Sequence, residues 1–169
     1  INQILMLARA EAGELTIKKT PLDLSALAMD VSEQVEPLAE AKGIALVRRI
    51  EDGAHAQADS GWMERLLLIL LDNAIKFTPA GGTVTMRVTR ADAGTELAIE
   101  DTGVGIAPEA LPRVFEAFYR GESGEGAGLG LALAQWIADA HSATLTVSSA
   151  PGTGSVFSLR LPSDQINQN

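Results

Sequence analysis

Three short stretches of this chain place groups that could hold a phosphorylated ligand. The first is Asp101-Thr102-Gly103-Val104-Gly105-Ile106, at the end of a predicted strand. An aspartate there can accept a hydrogen bond from an exocyclic amine such as that of adenine, and the two glycines permit a tight turn and close backbone approach to a flat ring. Taken alone, the same pattern also suits a turn that caps a strand. The second is Gly126-Ala127-Gly128-Leu129-Gly130-Leu131, which opens a predicted helix. Glycines let backbone amides face a phosphate, and a helix start favours negative charge. No Lys-Ser/Thr follows the last glycine, so this is not a P-loop, and no buried parallel strand precedes it, so it is not a Rossmann turn. A flexible linker before a helix is the other reading.

The third is Asn73-Ala74-Ile75-Lys76-Phe77, on a helix that is apolar almost all round between Leu66 and Leu71 and should therefore be buried. A buried asparagine without partners costs about 1–3 kcal/mol. Ligating a Mg2+ between phosphates would satisfy its side-chain oxygen, and Lys76, three residues on, could meet a phosphate. An asparagine bonded to a neighbouring loop beside a solvated lysine fits as well.

Composition narrows the choice. The chain has 169 residues, enough for one domain with a core. Its formal net charge is -9, from 22 acidic and 13 basic residues, which argues against sequence-independent nucleic-acid binding. An anionic ligand must then be held by local devices: amides, a helix start, a metal ion, one or two placed cations. There is no cysteine, so thiolate metal sites and disulfides are excluded. The longest unbroken apolar run, Leu66 to Leu71, is far short of the ~20 residues of a membrane span. A soluble, cytoplasmic chain with no membrane contact is expected.

The elements that must position these groups follow from periodicity. Ile1, Ile4, Leu5, Ala8 and Ala12 form one helical stripe that Gly13 ends, and it reads as the stub of a longer helix. Residues 14–22 form a linker. Asp23 can cap a helix carrying Leu24, Leu27, Val31, Val35 and Leu38 and ending at Gly43, with Pro37 either bending it or marking its last turns. Ile44 to Ile50 and Ala54 to Ala58 read as a hairpin. Asp59 or Ser60 caps the apolar helix through about Phe77. Two strands follow, with Val84, Met86 and Val88 facing inward in the first and Thr95 to Asp101 forming the second. A short helix is predicted around Pro108 to Phe115, a mobile segment over Tyr119 to Gly128, a helix over Leu129 to Ala140, and a closing hairpin of Ala143 to Ser149 with Ser155 to Leu161. Residues 163–169 read as a disordered tail. The expected fold is an α/β (α+β) two-layer sandwich: a mixed, mostly antiparallel sheet covered by about three helices.

The order and spacing of the three stretches resemble the nucleotide-binding boxes of the histidine-kinase branch of the GHKL ATPase superfamily. Leu70 to Pro79 and Asp101 to Ile106 match two of them. Phe115-Glu116-Ala117-Phe118-Tyr119-Arg120 is similar to the phenylalanine box, Gly126 to Leu133 to the second glycine box, and Gly152 to Phe157 to the closing box. The resemblance runs from about Pro21 to Pro162, and it implies a Bergerat-type ATP-binding fold over 23–162. Residues 1–13 look like the end of the second helix of a dimerisation and phosphoacceptor domain.

By that resemblance, Asp101 would bind the adenine amine, with Gly103, Gly105, Ile106 and Ser155 completing the pocket. Asn73 would ligate Mg2+, Lys76 would approach the phosphates, and both would be the catalytic residues. Phe77, Phe118, Tyr119, Arg120, Gly126, Gly128, Leu129, Gly130 and Leu131 would complete the ATP contacts. Tyr119 to Gly126 would form a lid anchored by Phe115 and Phe118, whose other reading is core packing. Arg113 and Arg120 are further phosphate candidates. The implied activity is transfer of the ATP γ-phosphoryl group to a histidine on a helical domain, then to the receiver domain of a response regulator. The implied parent is an inner-membrane sensor.

Two departures from the family pattern stand out. Where the family usually has asparagine one helical turn before the magnesium-binding asparagine, this chain has Ile69. The only histidines, His55 and His141, both lack the family context of an acceptor, so phosphorylation would need a histidine outside this chain. Ile69 keeps open a nucleotide-sensing pseudokinase module. It argues against a hydrolytic GHKL ATPase, whose glutamate base would stand at that position. With most of the dimer surface missing, a monomer is expected.

Overall fold

The computed structural model describes residues 3–119 and 128–162. Four α-helices are present among them: α1 (Gln3–Glu11), α2 (Leu24–Lys42), α3 (Ser60–Lys76) and α4 (Gly130–Ala140). The strands are β1 (Thr20–Asp23), β2 (Ala45–Ile50), β3 (His55–Ala58), β4 (Thr83–Ala91), β5 (Gly94–Asp101), β6 (Thr144–Ala150) and β7 (Gly154–Pro162). Five strands form one sheet in the order β2-β4-β5-β7-β6, with β2 parallel to β4 and every other pair antiparallel. This is the mixed, mostly antiparallel sheet expected from the sequence, with α2, α3 and α4 layered on it.

Caps and periodicity explain the helices. Asp23 accepts the Ala26 N–H at 3.0 Å, and Asp59 accepts the Trp62 N–H at 3.2 Å. Each such cap is worth about 1 kcal/mol. Gly43 ends α2 at φ 78°, a conformation that glycine adopts without strain. Along α2 the buried residues Leu24, Ala28, Val31, Val35 and Ala39 recur at helical spacing, and α3 buries Met63, Leu66, Leu67, Leu70 and Leu71. Opposite them the sheet presents Val84, Met86 and Val88 from β4, Leu97 and Ile99 from β5, and Phe157 and Leu159 from β7. The outer face is polar, with Arg87 paired to Glu100 and Arg160 to Glu96.

Strand parity has a functional consequence. Met86, Ile99 and Phe157 lie side by side on the inner face. Two residues along each strand, the next inward row is Val84, Asp101 and Ser155. Side chains alternate with a period of two, so Asp101 points from the end of the core row into the space between sheet and helices.

Four expectations are corrected: the hairpin, the linker over 14–22, whose last residues form β1, the short helix and the apolar stripe of α1. Ile44 to Ile50 and Ala54 to Ala58 do not form a hairpin. β2 runs parallel to β4 across the α3 crossover, and β3 pairs with β1 in a separate two-stranded sheet. A tight hairpin would close with the Ala54 N–H on the Glu51 carbonyl. Here the Ser25 hydroxyl intervenes, donating to the Glu51 carbonyl at 2.5 Å while accepting the Ala54 N–H at 3.0 Å. The turn opens, and β3 leaves the plane of β2.

The helix predicted around Pro108 to Phe115 is only a 3-10 turn at Leu111–Arg113. Arg113 N–H bonds the Ala110 carbonyl and Glu116 N–H the Arg113 carbonyl, both three residues back, and Pro112 has no N–H to extend an α-helix. In α1 the residues buried against α4 are Leu7 and Ala10, while Ile4 and Leu5 of the expected apolar stripe are more than half exposed. Leu7 and Ala10 make a narrow face that fits the helix alongside; the broader stripe faces outward. Residues 163–169 and most of the expected mobile segment lie outside the described residues.

Candidate nucleotide site

Asp101 is the buried acid of the inner row, only 7% exposed. Burial pushes its carboxyl above the ordinary carboxylate range, against the pull of the Gly103 and Ser155 backbone N–H groups that it accepts and with a smaller push from Glu100. The Gly103 bond measures 2.8 Å. A second cluster supports this end. Ser149 on β6 accepts the Ile106 N–H at 2.8 Å, donates to the Gly154 carbonyl at 2.8 Å, and lies 2.8 Å from the Ser155 hydroxyl. It therefore ties the loop after Asp101 to the start of β7. Nothing in the local sequence around Ser149 signals that role, because its partners are 43 and 6 residues away.

The glycines here are steric necessities. A Cβ on Gly105, whose φ is +75°, would overlap the Ala150 carbonyl oxygen, and one on Gly154 would overlap the Asp101 carbonyl oxygen. A Cβ on Gly103 would strike the Phe77 carbonyl. The Asp101 loop is thus pressed against the end of α3, and Val104 N–H donates to the Phe77 carbonyl at 3.2 Å.

α3 links this end to the glycine-rich start of α4. The Ile69 Cγ2 lies 3.3 Å from where a Cβ on Gly130 would stand. Ile69, Asn73 and Phe77 are spaced four residues apart, so they lie on one face of α3 at intervals of about 6 Å. One end of that face touches Gly130 and the other touches the Asp101 loop. Asn73 stands between them, half-buried, and among the described residues its side chain makes no hydrogen bond. Lys76 is half-buried, with its ammonium 5.6 Å from the Phe77 ring centre.

At the other end, α4 begins at Gly130 behind a buried Leu129 whose side chain provides no cap. The first-turn amides of α4 are left for an external acceptor, the usual basis of anion binding at a helix start. Leu131 turns back onto the core. Gly128, at φ +73°, packs under the backbone of Phe118 and Tyr119, and Phe118 N–H donates to the Gly128 carbonyl at 2.8 Å.

The two phenylalanines of the expected lid anchor differ. Phe115 packs edge-on against Phe157 with ring centres 6.1 Å apart, whereas Phe118 is 63% exposed at φ +68°. Arg113 stacks its guanidinium 4.6 Å over Tyr119 and pairs with Glu116. Of the other site residues expected from the sequence, Arg120 and Gly126 lie outside the described residues.

Among the described residues no group of three His, Cys, Asp or Glu side chains could hold a metal ion. Asn73 offers a single side-chain oxygen, so a Mg2+ beside it would need phosphate and water oxygens to fill its shell. That is how Mg2+ is commonly held beside nucleotides. His141 is no acceptor: it is 2% exposed and bonded within the fold, while His55 sits on the surface of β3.

Residues 58–165 match the family model described as histidine kinase-, DNA gyrase B-, and HSP90-like ATPase. The chain belongs to this ATPase family. Among curated relatives it is 37% identical over 165 residues to the sensor histidine kinase CusS of Escherichia coli K12, covering 94% of this chain and 34% of that protein. It is 38% identical over 168 residues to the sensor histidine kinase RppB of Synechocystis, covering 96% of this chain and 37% of that protein. The chain thus spans about a third of the length of these relatives. Among solved structures, full-length ShkA in complex with AMPPNP superposes at a TM-score of 0.86, with 34% identity, covering 95% of this chain and 34% of that one. The ATPase domain described here is thus of the sensor histidine kinase type, and its sandwich is the ATP-binding fold of those kinases.

Proposed function

We propose that this domain binds Mg-ATP along the Ile69–Asn73–Phe77 face of α3 and donates the γ-phosphoryl group to a histidine on a separate helical domain, for relay to a response regulator. The observation that carries this is the single line of contacts along α3. Its two ends touch the start of α4 at Gly130, which no side chain caps, and the Asp101 loop, and between them lies Asn73, whose side chain makes no hydrogen bond among the described residues.

In this reading the Asp101 carboxylate accepts the adenine amine, and Gly103, Gly105, Ile106, Phe77 and Ser155 shape the ring pocket. The amides at Gly128, Leu129, Gly130 and Leu131 face the phosphates, with Lys76 as the local cation. Asn73 supplies the metal ligand, and the ion would neutralise charge on the phosphates. Phe118 and Tyr119 flank the site. In the transfer, an imidazole nitrogen forms a bond to the γ-phosphorus as the bond to the β,γ-bridging oxygen breaks and ADP leaves. A reaction of this kind depends on positioning and charge neutralisation more than on covalent help from the protein. The exposed Ile4 and Leu5 of α1 support its assignment to the end of a dimerisation helix, with residues 14–19 leading from it to β1. None of the described helices is long and apolar enough to cross a membrane; the proposed parent is a membrane sensor whose catalytic portion faces the cytoplasm.

The test supplies the purified chain with Mg-ATP and a separate helical domain bearing the acceptor histidine, and follows acid-labile phosphate. Phosphate on the acceptor is the expected result. Nucleotide binding without transfer would replace the kinase reading with a nucleotide-sensing module, and absence of binding would overturn both.

A further inference from the structure

We infer that Lys42, at the end of α2, is a positioning residue for the metal end of the nucleotide site. The inference rests on the proposed role of Asn73. A helix leaves its last four carbonyls without intrahelical donors, and in α3 those carbonyls lie in the turn that carries Asn73 and Lys76. The Asn73 carbonyl receives the Phe77 N–H at 3.1 Å, and the Ala74 carbonyl receives the buried Thr78 hydroxyl at 2.6 Å. The next donor along the chain for the Ile75 carbonyl would be residue 79, which is a proline and has no N–H. The Phe77 N–H is shared between that carbonyl and the Asn73 carbonyl, and Thr78 N–H reaches it only at 3.4 Å.

Lys42 fills the gap from another helix. Its Nζ donates to the Ile75 carbonyl at 2.8 Å and to the Lys76 carbonyl at 2.7 Å. The positive charge sits at the negative end of the α3 dipole. The base from which it reaches is itself tied to the same loop. Gly43 carbonyl accepts the Gly81 N–H at 2.9 Å, and Ala45 N–H donates to the Gly82 carbonyl at 3.0 Å. Lys42 therefore closes the last turn of α3 between two fixed segments, two residues beyond Asn73. The adenine end also rests on this turn, through the Val104 N–H on the Phe77 carbonyl, but it has further supports in Gly103, Ser149 and Ser155. Loss of Lys42 should thus loosen the metal end, which lacks such supports, more than the adenine end.

The test compares Lys42→Met and Lys42→Arg with the unaltered 169-residue chain. Affinity is measured for adenosine, and for a non-hydrolysable ATP analogue with and without Mg2+, alongside the thermal midpoint. The methionine variant is expected to lose about fivefold of the Mg2+-dependent gain in analogue affinity, as for a cation removed from a helix end, while adenosine affinity stays within about twofold. The arginine variant, which keeps charge and donors, should recover most of the loss. An equal loss for adenosine and for the Mg2+ complex, an arginine variant no better than methionine, or no loss at all would overturn the inference. If the unaltered chain shows no Mg2+-dependent gain, the role of Asn73 fails and the inference falls with it. If the gain is present and Asn73→Ala abolishes it, any failure belongs to Lys42 alone.

Discussion

The Nε2 of His141, at the end of α4, accepts the backbone N–H of Asp59, at the start of α3, at 3.0 Å. The other ring nitrogen, Nδ1, lies 2.7 Å from the Ile137 carbonyl, an acceptor, so Nδ1 carries the proton and the ring is neutral. Asp59 in turn accepts the Trp62 N–H and, at 2.8 Å, the Lys18 N–H of the linker. Burial alone would raise the Asp59 carboxyl, but the Lys18, Trp62 and Gly61 amides and nearby His141 outweigh it and hold the group below its ordinary value. One pair of residues thus joins the far ends of both helices that line the proposed site to the segment leading from α1.

Acid should weaken this joint. Burial pulls the His141 pKa below its ordinary 6.5, helped by Lys19 and opposed by the Ile137 bond and by Asp59. A base with a depressed folded pKa contributes stability above its unfolded pKa and loses it as pH falls through the folded value. Stability should therefore drop as pH falls below 6.5. His141→Leu should remove that slope and cost about 1–3 kcal/mol at neutral pH, because the Asp59 N–H is left unpaired. Denaturant unfolding from pH 5 to 8 checks both, the range in which an ordinary histidine titrates; an unchanged slope in the variant would assign the pH dependence elsewhere.

Asp101→Asn should separate binding from stability. With the folded pKa raised by burial, the carboxyl contributes stability below its unfolded pKa and loses it as pH rises through the folded value. At neutral pH the charge is a standing cost in the empty domain. The variant should be at least as stable there, yet bind nucleotide about 10- to 100-fold more weakly, the worth of a hydrogen bond to a charged group. Calorimetric titration paired with thermal melts reads both quantities, and a variant that unfolds would mark Asp101 as structural.

Gly105 and Gly152 make a controlled pair. Both have positive φ, but a Cβ at Gly105 would overlap the Ala150 carbonyl, whereas one at Gly152 meets nothing within 4 Å. Gly152→Ala should cost only the conformational term of about 1–2 kcal/mol. Gly105→Ala should cost more and also weaken adenosine binding, because the loop after Asp101 must move. Equal costs in urea unfolding would contradict the steric account.

Ile69→Asn tests the departure from the family pattern. Ile69 packs against the core and against Gly130, so the polar substitution should destabilise the domain by about 1–3 kcal/mol. It also returns a polar group to the face of α3 next to Asn73. Transfer to a supplied acceptor domain should rise by about tenfold or more, the worth of one added hydrogen bond to a charged group. Single-turnover transfer at saturating Mg-ATP measures this; an unchanged rate would show that Ile69 does not limit the chemistry.

Much of this was legible because it is local. Asp23 and Asp59 cap where their spacing to an apolar run predicts, and the alternation of Val84, Met86 and Val88 sets the inward face of β4. The three candidate stretches were visible as residue types at short spacing. Their supports were not. Ser149 and Lys42 are ordinary residues with partners on distant segments or other elements, and no periodicity marks them. The false hairpin has the same origin: Asp52-Gly53 looks like a turn, and only folding brings the Ser25 hydroxyl into its closing bond.

The sequence by itself determined the chemistry: an aspartate at a strand end, glycines where backbone must approach closely, an asparagine on an apolar helix. Each follows from the residue type and its immediate neighbours. Tertiary structure alone decided that Gly130 and the Asp101 loop meet the face of α3 that carries Asn73, that Asp101 is buried with its pKa raised, and that His141 is a neutral strut instead of an acceptor. Those properties depend on what lies opposite a side chain, and packing supplies that from residues tens of positions away.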